Sequence, residues 1–396
     1  MTNITLNYMF IFIVMVFYSG LHVLLDPVLV MTIFILALIP LAFLNLKNVL
    51  LNKNIFILLS LLSISTLVTY ATFDSSSIAI EGSAIIILFM MYLLVSSYKA
   101  NFLISFIKII HYLSVLSILT WISLESMDFI FDIKSRLSDF ALYYGINEGG
   151  RYTLFLFNYG MESIRNYGIF WEPSVLALFV FTSLLFQEFL KIRNINFPRH
   201  YVLIAYLTIV SSQSTGGYIY MFLHFFFFNT TVQKNKGLLY PLVLIIGIIG
   251  FTNIPFLQEK IIGFINDSDI TNDHHYFNGR LNFTFMMSLF LQEPMFGIGQ
   301  RSQLLSGGII EGTLLNGYLS ILVSYGIFVF IFYNFLLLKS ALIWNKDIKN
   351  MRFIGFVICF IIMNMNNGFT YAPNFYLPVI IAMVYSQSND FFEEYN

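Results

Sequence analysis

RNYGIFWEPSVLALFVFTSLLFQEFL, residues 165–190, sets an arginine, a glutamate and a proline at the mouth of an apolar run. A membrane-spanning helix takes about 20 mostly apolar residues, and the run from 168 to 190 is long enough. Pro173 suits the first position of that helix, where its missing N–H costs nothing. Glu172 then falls at the cap, where a carboxylate suits the orphan N–H groups and the positive end of the dipole. Arg165 has no such role, because a helix cap needs no arginine two turns upstream.

The rest of the chain follows this pattern. Of its 396 residues 58% are hydrophobic and only 10% are charged, against about 25% charged in a soluble domain. Most of the chain therefore belongs in lipid. The 45 Phe and 24 Tyr suit wide interfacial belts. The single cysteine, Cys359, lies in an apolar run, which excludes a disulfide framework and a thiolate metal site. A net charge of −1 gives no footing for nucleic acid. The N-terminus lacks a basic n-region and its apolar run continues to full length, so no cleavable signal peptide is expected.

Twelve spans can be read, at about 6–25, 27–46, 54–73, 78–98, 102–124, 168–190, 200–213, 216–232, 238–254, 312–338, 353–367 and 374–388. The expectation is an all-α polytopic membrane protein with residues 1–396 forming one integral membrane domain. The seventh and eighth spans are short and flank SSQSTGG (211–217); one broken or re-entrant helix is the alternative there. Basic residues mark the cytoplasmic side, and alternate loops carry Lys47 and Lys53, then Lys99, then Lys191, Arg193 and Arg199, then Lys234 and Lys236, then Lys339 to Arg352. That alternation supports two crossings around SSQSTGG and puts both termini in the cytoplasm.

The outer side carries Lys134, Arg136, Arg151, Arg165, Lys260, Arg280 and Arg301, mostly arginine, whereas the inner loops use mostly lysine. Lysine is adequate for orienting loops. Arginine offers a planar fork of donors that grips phosphate or carboxylate in a bidentate way. Arginine on the side where the orientation rule disfavours positive charge points to an anionic ligand at the outer face. Surface arginines paired with loop acids are the plainer account.

Two outer loops are long, 125–167 and 255–311, and long ordered loops are usually functional. In the first, Ile130, Ile133, Leu137, Phe140 and Tyr144 recur at helical spacing, which predicts an amphipathic helix in the interface or over a cavity. NEGG ends it and Arg151 follows. In the second, 281–291 is apolar, long enough for a helix and too short to span, with Arg280 before it and Pro294 after it. An anion is favoured at such a helix start. PMFGIGQR then forms a Gly-rich turn ending on Arg301, whose exposed N–H groups are expected to approach a phosphate. Asp273, His274 and His275 lack the spacing of a metal site. Either histidine suits a general base better, with a plain loop histidine as the bland alternative.

Four stretches carry a family likeness. RNYGIFWEPSVLA, SSQSTGGYIYM, NGRLNFTFMMSLFLQEPMFGIG and LLNGYLSILVSYGIFVF resemble, in that order, the Arg-x-x-Gly-x-Phe-x-Glu-Pro, Ser-x-Thr-Gly, Gly-Arg…Pro-x-x-Gly-x-Gly and Asn-containing segments of bacterial O-antigen and capsular repeat-unit polymerases, in the superfamily that includes the O-antigen ligases. The likeness in order and topology covers about 150 to 330. Two departures stand out. Gln213-Ser214-Thr215-Gly216 has no arginine, and Leu315 precedes Asn316 where the ligase branch has the histidine implicated as its base.

The resemblance implies an oligosaccharide on undecaprenyl pyrophosphate, polymerised at the periplasmic face by glycosyl transfer without metal, cofactor or nucleotide sugar. On that reading Arg165 and Arg280 hold the pyrophosphate, with Arg301 and Arg151 as further candidates. Glu172 orients an arginine or contacts sugar hydroxyls, and His274 or His275 is the base. Partners would be the lipid-linked glycans, the bilayer and, as a candidate, a chain-length regulator protein. A lipid-linked oligosaccharide flippase, an O-antigen ligase and a lipid-phosphate-sugar glycosyltransferase are the alternatives. A flippase would need charges along a path through the membrane, and here Glu81, Lys108, Glu172 and Glu188 lie mostly near span ends.

Overall fold

The computed structural model describes residues 52–73, 78–131, 151–154, 157–160, 165–170, 172–228, 287, 289–299, 317–345, 351–365, 373–388 and 391–392. Regular structure among them comprises α1 (Lys53–Phe73), α2 (Ile78–Phe131), β1 (Arg151–Leu154), β2 (Phe157–Gly160), α3 (Pro173–Lys191), α4 (Arg199–Ser212), α5 (Thr215–Phe228), α6 (Gly317–Trp344), α7 (Met351–Met365) and α8 (Pro373–Tyr385). The strands form one antiparallel hairpin with Arg151 opposite Gly160. Among the described residues four stretches are long and apolar enough to cross a membrane: Lys53–Thr72, Leu88–Ser123, Pro173–Lys191 and Tyr318–Trp344.

The spans expected at 54–73, 168–190, 200–213, 216–232, 312–338, 353–367 and 374–388 each find a helix. Those at 6–25, 27–46 and 238–254 lie outside the described residues, as does 132–150 with most of the amphipathic pattern. The fourth and fifth spans are joined without a loop. Both lie in α2, which is interrupted only at Lys99 (φ 50, ψ −126). SSYKA, 96–100, has no proline or glycine to end a helix, so the break is confined to one strained residue. α2 also continues to Phe131, into the segment read as the first long outer loop.

α4 and α5 are separate helices, each of 14 residues. At 1.5 Å per residue α4 is about 21 Å long, short of the roughly 30 Å hydrocarbon core. The chain reverses between them. Gln213 adopts a left-handed conformation (φ 47, ψ 36), which ends α4, and Ser214 Oγ accepts from the Gly217 N–H at 3.3 Å to cap α5. Tyr218 Oη donates to the Val210 carbonyl across the turn at 3.4 Å. A side chain at Gly217 would meet Ile209 at 3.1 Å and Ala177 at 3.0 Å, so glycine allows this close approach.

The described residues fall into two compact units, one within 1–52, 89–221 and 380–396, the other within 53–88 and 222–379. In the first, α3 is the core. It is apolar all round, and a helix of that kind has to be enclosed by others; nearly every residue from Pro173 to Leu190 is buried. Phe106 of α2 lies edge-on to Phe186 at 5.1 Å, and Tyr220 of α5 stacks on Phe181 at 4.5 Å. At the far end of α3, Glu188 pairs with Lys191 at 3.1 Å. Arg193 lies over the rings of Phe189 (3.8 Å) and Tyr385 (4.5 Å), fastening the end of α8 to the end of α3.

In the second unit α6 packs on α1 and α7. α6 is interrupted at Gly326 (φ 78, ψ −179), and the turn 294–299 seats in the break. Ile298 N–H donates to the Val323 carbonyl at 2.9 Å, Gly299 N–H to Ser324 at 3.2 Å, and Ile327 N–H to Pro294 at 2.9 Å. From α1, Ser65 Oγ donates to the Phe296 carbonyl at 2.6 Å and Thr69 Oγ1 to Gly297 at 3.4 Å. Leu289, Ile298 and Val323 form the apolar contact beneath, with Phe290 and Leu319 against it.

Candidate functional site

The described residues 165–170 form a turn ahead of α3, held by Asn166, Gly168 and Phe170. Asn166 is fully buried. Its Oδ1 accepts from the Gly168 N–H at 2.9 Å, the side chain closing a turn on its own backbone. Its Nδ2 donates to Ser117 Oγ of α2 at 3.1 Å and to Ser211 Oγ of α4 at 3.0 Å. Its backbone N–H donates to the Ser211 carbonyl at 3.0 Å. Gly168 has φ +56, which favours glycine, and a Cβ there would also crowd the Leu176 methyl at 3.1 Å. Phe170 stacks on Phe179 at 4.6 Å, tying the turn to α3.

Glu172 and Pro173 then start α3. Glu172 is extended at the cap position (φ −137, ψ 145) with Pro173 immediately inside the helix. Its carbonyl accepts from the Val175 and Leu176 N–H groups at 3.1 and 3.2 Å. Its carboxylate makes no capping hydrogen bond; it accepts instead from Ser174 Oγ at 2.7 Å. The cap is therefore a matter of backbone position and proline, and the half-buried carboxylate keeps acceptor capacity.

Arg165 stands at the mouth of this turn, half-buried, with its guanidinium in electrostatic reach of the Tyr218 hydroxyl on α5. Two stretches that stood apart in the sequence thus meet in space: RNYGIFWEP and SSQSTGG, joined through Asn166 and Ser211. Sequence reading missed Asn166 and Ser211. A lone Asn beside an Arg carries no spacing signal, and the bond from 166 to 211 is a product of tertiary packing.

The Gly-rich turn 294–299 corrects an expectation. Its N–H groups were expected to face a phosphate. Those of Gly297, Ile298 and Gly299 are all taken by the carbonyls of Glu293, Val323 and Ser324. Glycines serve here for close backbone approach to α6, and no donor at 297–299 is left for a ligand. Arg151 lies on β1 opposite Gly160. His274, His275, Arg280 and Arg301 lie outside the described residues.

Residues 200–334 match the family model described as O-antigen ligase. The matched stretch is about a third of the chain, and over it the chain is similar to that family. The matched stretch contains α4, the SSQSTGG reversal, α5, the 294–299 turn and the broken part of α6. No curated protein matches the chain. Together with the apolar helices among the described residues, that likeness supports a multi-pass membrane protein. RNYGIFWEP lies just ahead of the matched stretch, and the Asn166–Ser211 bonds dock it there.

Proposed function

We propose that this protein is a member of the O-antigen polymerase and ligase superfamily that polymerises undecaprenyl-pyrophosphate-linked oligosaccharide repeat units, as O-antigen or capsule, at the periplasmic face of the inner membrane. The observation that carries the reading is the docking of the Arg165 turn onto the SSQSTGG reversal. It brings a half-buried arginine to the family-matched segment. In the transfer, a hydroxyl oxygen of the acceptor unit bonds to the anomeric carbon of the growing chain as the bond from that carbon to pyrophosphate breaks. The bonding electrons leave on the pyrophosphate and the hydroxyl proton passes to a base.

Arg165, with Arg280 and with Arg301 and Arg151 as further candidates, stabilises the charge developing on the leaving pyrophosphate. Preorganised donors in a water-poor site are the most effective device for this. His274 or His275 takes the proton, and Glu172 uses its spare acceptor capacity on sugar hydroxyls or an arginine. No resident metal or nucleotide sugar is required, since the lipid pyrophosphate is already an activated leaving group.

Polymerase is preferred to ligase because Leu315 occupies the place of the ligases' histidine before Asn316. The test is turnover of the purified protein in proteoliposomes with lipid-linked repeat units and no nucleotide sugar. A ladder of products on a gel is expected. Transfer only to a lipid A core acceptor makes it a ligase, and movement of intact substrate across the bilayer without new linkages makes it a flippase.

A further inference from the structure

Asn166 does more than close a turn. The two serines it touches have already committed their protons. Ser117 Oγ donates to the Ser114 carbonyl at 3.1 Å, and Ser211 Oγ donates to the Thr208 carbonyl at 2.9 Å. Each is left as an acceptor, and each accepts from Asn166 Nδ2. The amide's two protons fill both places, while its oxygen holds the Gly168 N–H. The orientation of the amide is thus set by its partners on all sides. A carboxylate of the same shape would turn oxygen toward two oxygens, and a longer amide would not fit a fully buried position. Together with the backbone bond to Ser211, this ties residue 166 to two helices and one turn. The neighbouring residue in the chain is Arg165.

We propose that Asn166 is the positioning residue for Arg165: it fixes the backbone from which the guanidinium reaches the pyrophosphate, by locking that backbone to Ser117 of α2 and Ser211 of α4. The proposal rests on the assignment of Arg165 to the pyrophosphate. Arginine recognition of phosphate is directional, so a small displacement of its backbone weakens binding even though the charge is retained. Asn166 contacts no substrate itself and acts only through its neighbour.

A double-mutant cycle on the full-length protein in nanodiscs tests this, with undecaprenyl pyrophosphate as the binding probe. Arg165→Lys and Asn166→Ala are each expected to weaken binding by about tenfold, equivalent to roughly 1.4 kcal/mol. The double variant is expected to be no weaker than Arg165→Lys alone, because residues that act through one another do not add. Thermal unfolding is followed in parallel. Multiplying losses in the double variant, or unchanged affinity in a folded Asn166→Ala, overturns the positioning role and leaves the Arg165 assignment standing. Unchanged affinity in Arg165→Lys overturns that assignment instead. Should Asn166→Ala fail to fold, Ser117→Ala removes one acceptor of the amide and replaces it in the cycle. A folded Ser117→Ala is expected to weaken binding less than Arg165→Lys and to add nothing to it; wild-type affinity there overturns the proposal.

Discussion

Gly297 and Gly326 interlock. Each has φ +78. A Cβ on Gly297 would fall on the Ser324 carbonyl, and one on Gly326 would fall on the Met295 carbonyl. The atoms in the way are backbone, which cannot swing aside. The break in α6 and the 294–299 turn are therefore one feature, made by two glycines that lie far apart in sequence.

Replacing either glycine with alanine should be among the most damaging small substitutions in the second unit. Left-handed φ at a non-glycine residue costs of order 1–3 kcal/mol, and the backbone clash adds to it. Gly82, where a Cβ would meet nothing within 4 Å, is the control; it sits in helix α2, and alanine there should be neutral or slightly stabilising. Unfolding midpoints of the detergent-solubilised protein check both. Gly297→Ala or Gly326→Ala with a wild-type midpoint would show that the turn and α6 are not seated as described.

Arg165→Lys keeps the positive charge and removes the planar fork. If Arg165 meets the leaving pyrophosphate, chain extension should fall by about 10²–10³-fold, the usual cost of losing one preorganised donor to a developing anion. Protein level and unfolding midpoint should hold, because the turn is tied down by Asn166, Gly168 and Phe170. Wild-type chain lengths on a polysaccharide gel would remove Arg165 from the mechanism.

Apolar length made the helices legible. Every expected span that falls on described residues finds a helix, because burying an unpaired backbone in lipid is so costly that a long apolar run leaves few alternatives. The junctions were less legible. Lys99 breaks α2 with no proline or glycine beside it, and the Gly326 break is completed by a turn nearly thirty residues upstream. Both depend on what packs nearby, which local sequence does not encode. The site divides in the same way. Arg165 and Glu172 stood out as charges at a membrane entrance, whereas Asn166 and Ser211 are neutral residues whose importance comes from facing one another.

The two loop histidines can be tested together. Replacing His274 and His275 with alanine should cut chain extension by about 10²–10⁴-fold if either is the base, while leaving undecaprenyl pyrophosphate binding within about twofold, since a base for the acceptor makes no contact with the leaving group. Separating turnover from binding is the useful measurement. Full turnover in the double variant would dispose of both histidines as the base.

Glu172→Gln separates a cap from a site. In an ordinary capping residue the side-chain oxygen holds helix N–H groups, and losing it costs about 0.5–2 kcal/mol. Here the carboxylate bonds Ser174 Oγ and no cap N–H. An amide oxygen can accept from the same hydroxyl, while Pro173 and the backbone still start the helix. The unfolding midpoint should stay within about 1 °C, given that 1 kcal/mol shifts a domain larger than 150 residues by about 2–4 °C. Activity should fall if the charge orients an arginine or holds sugar hydroxyls. A loss of midpoint without loss of specific activity would mean that the negative charge serves α3 through its dipole. Glu172 would then be a structural residue at the entrance, and the proposed contact with the substrate there would fall to Arg165 alone.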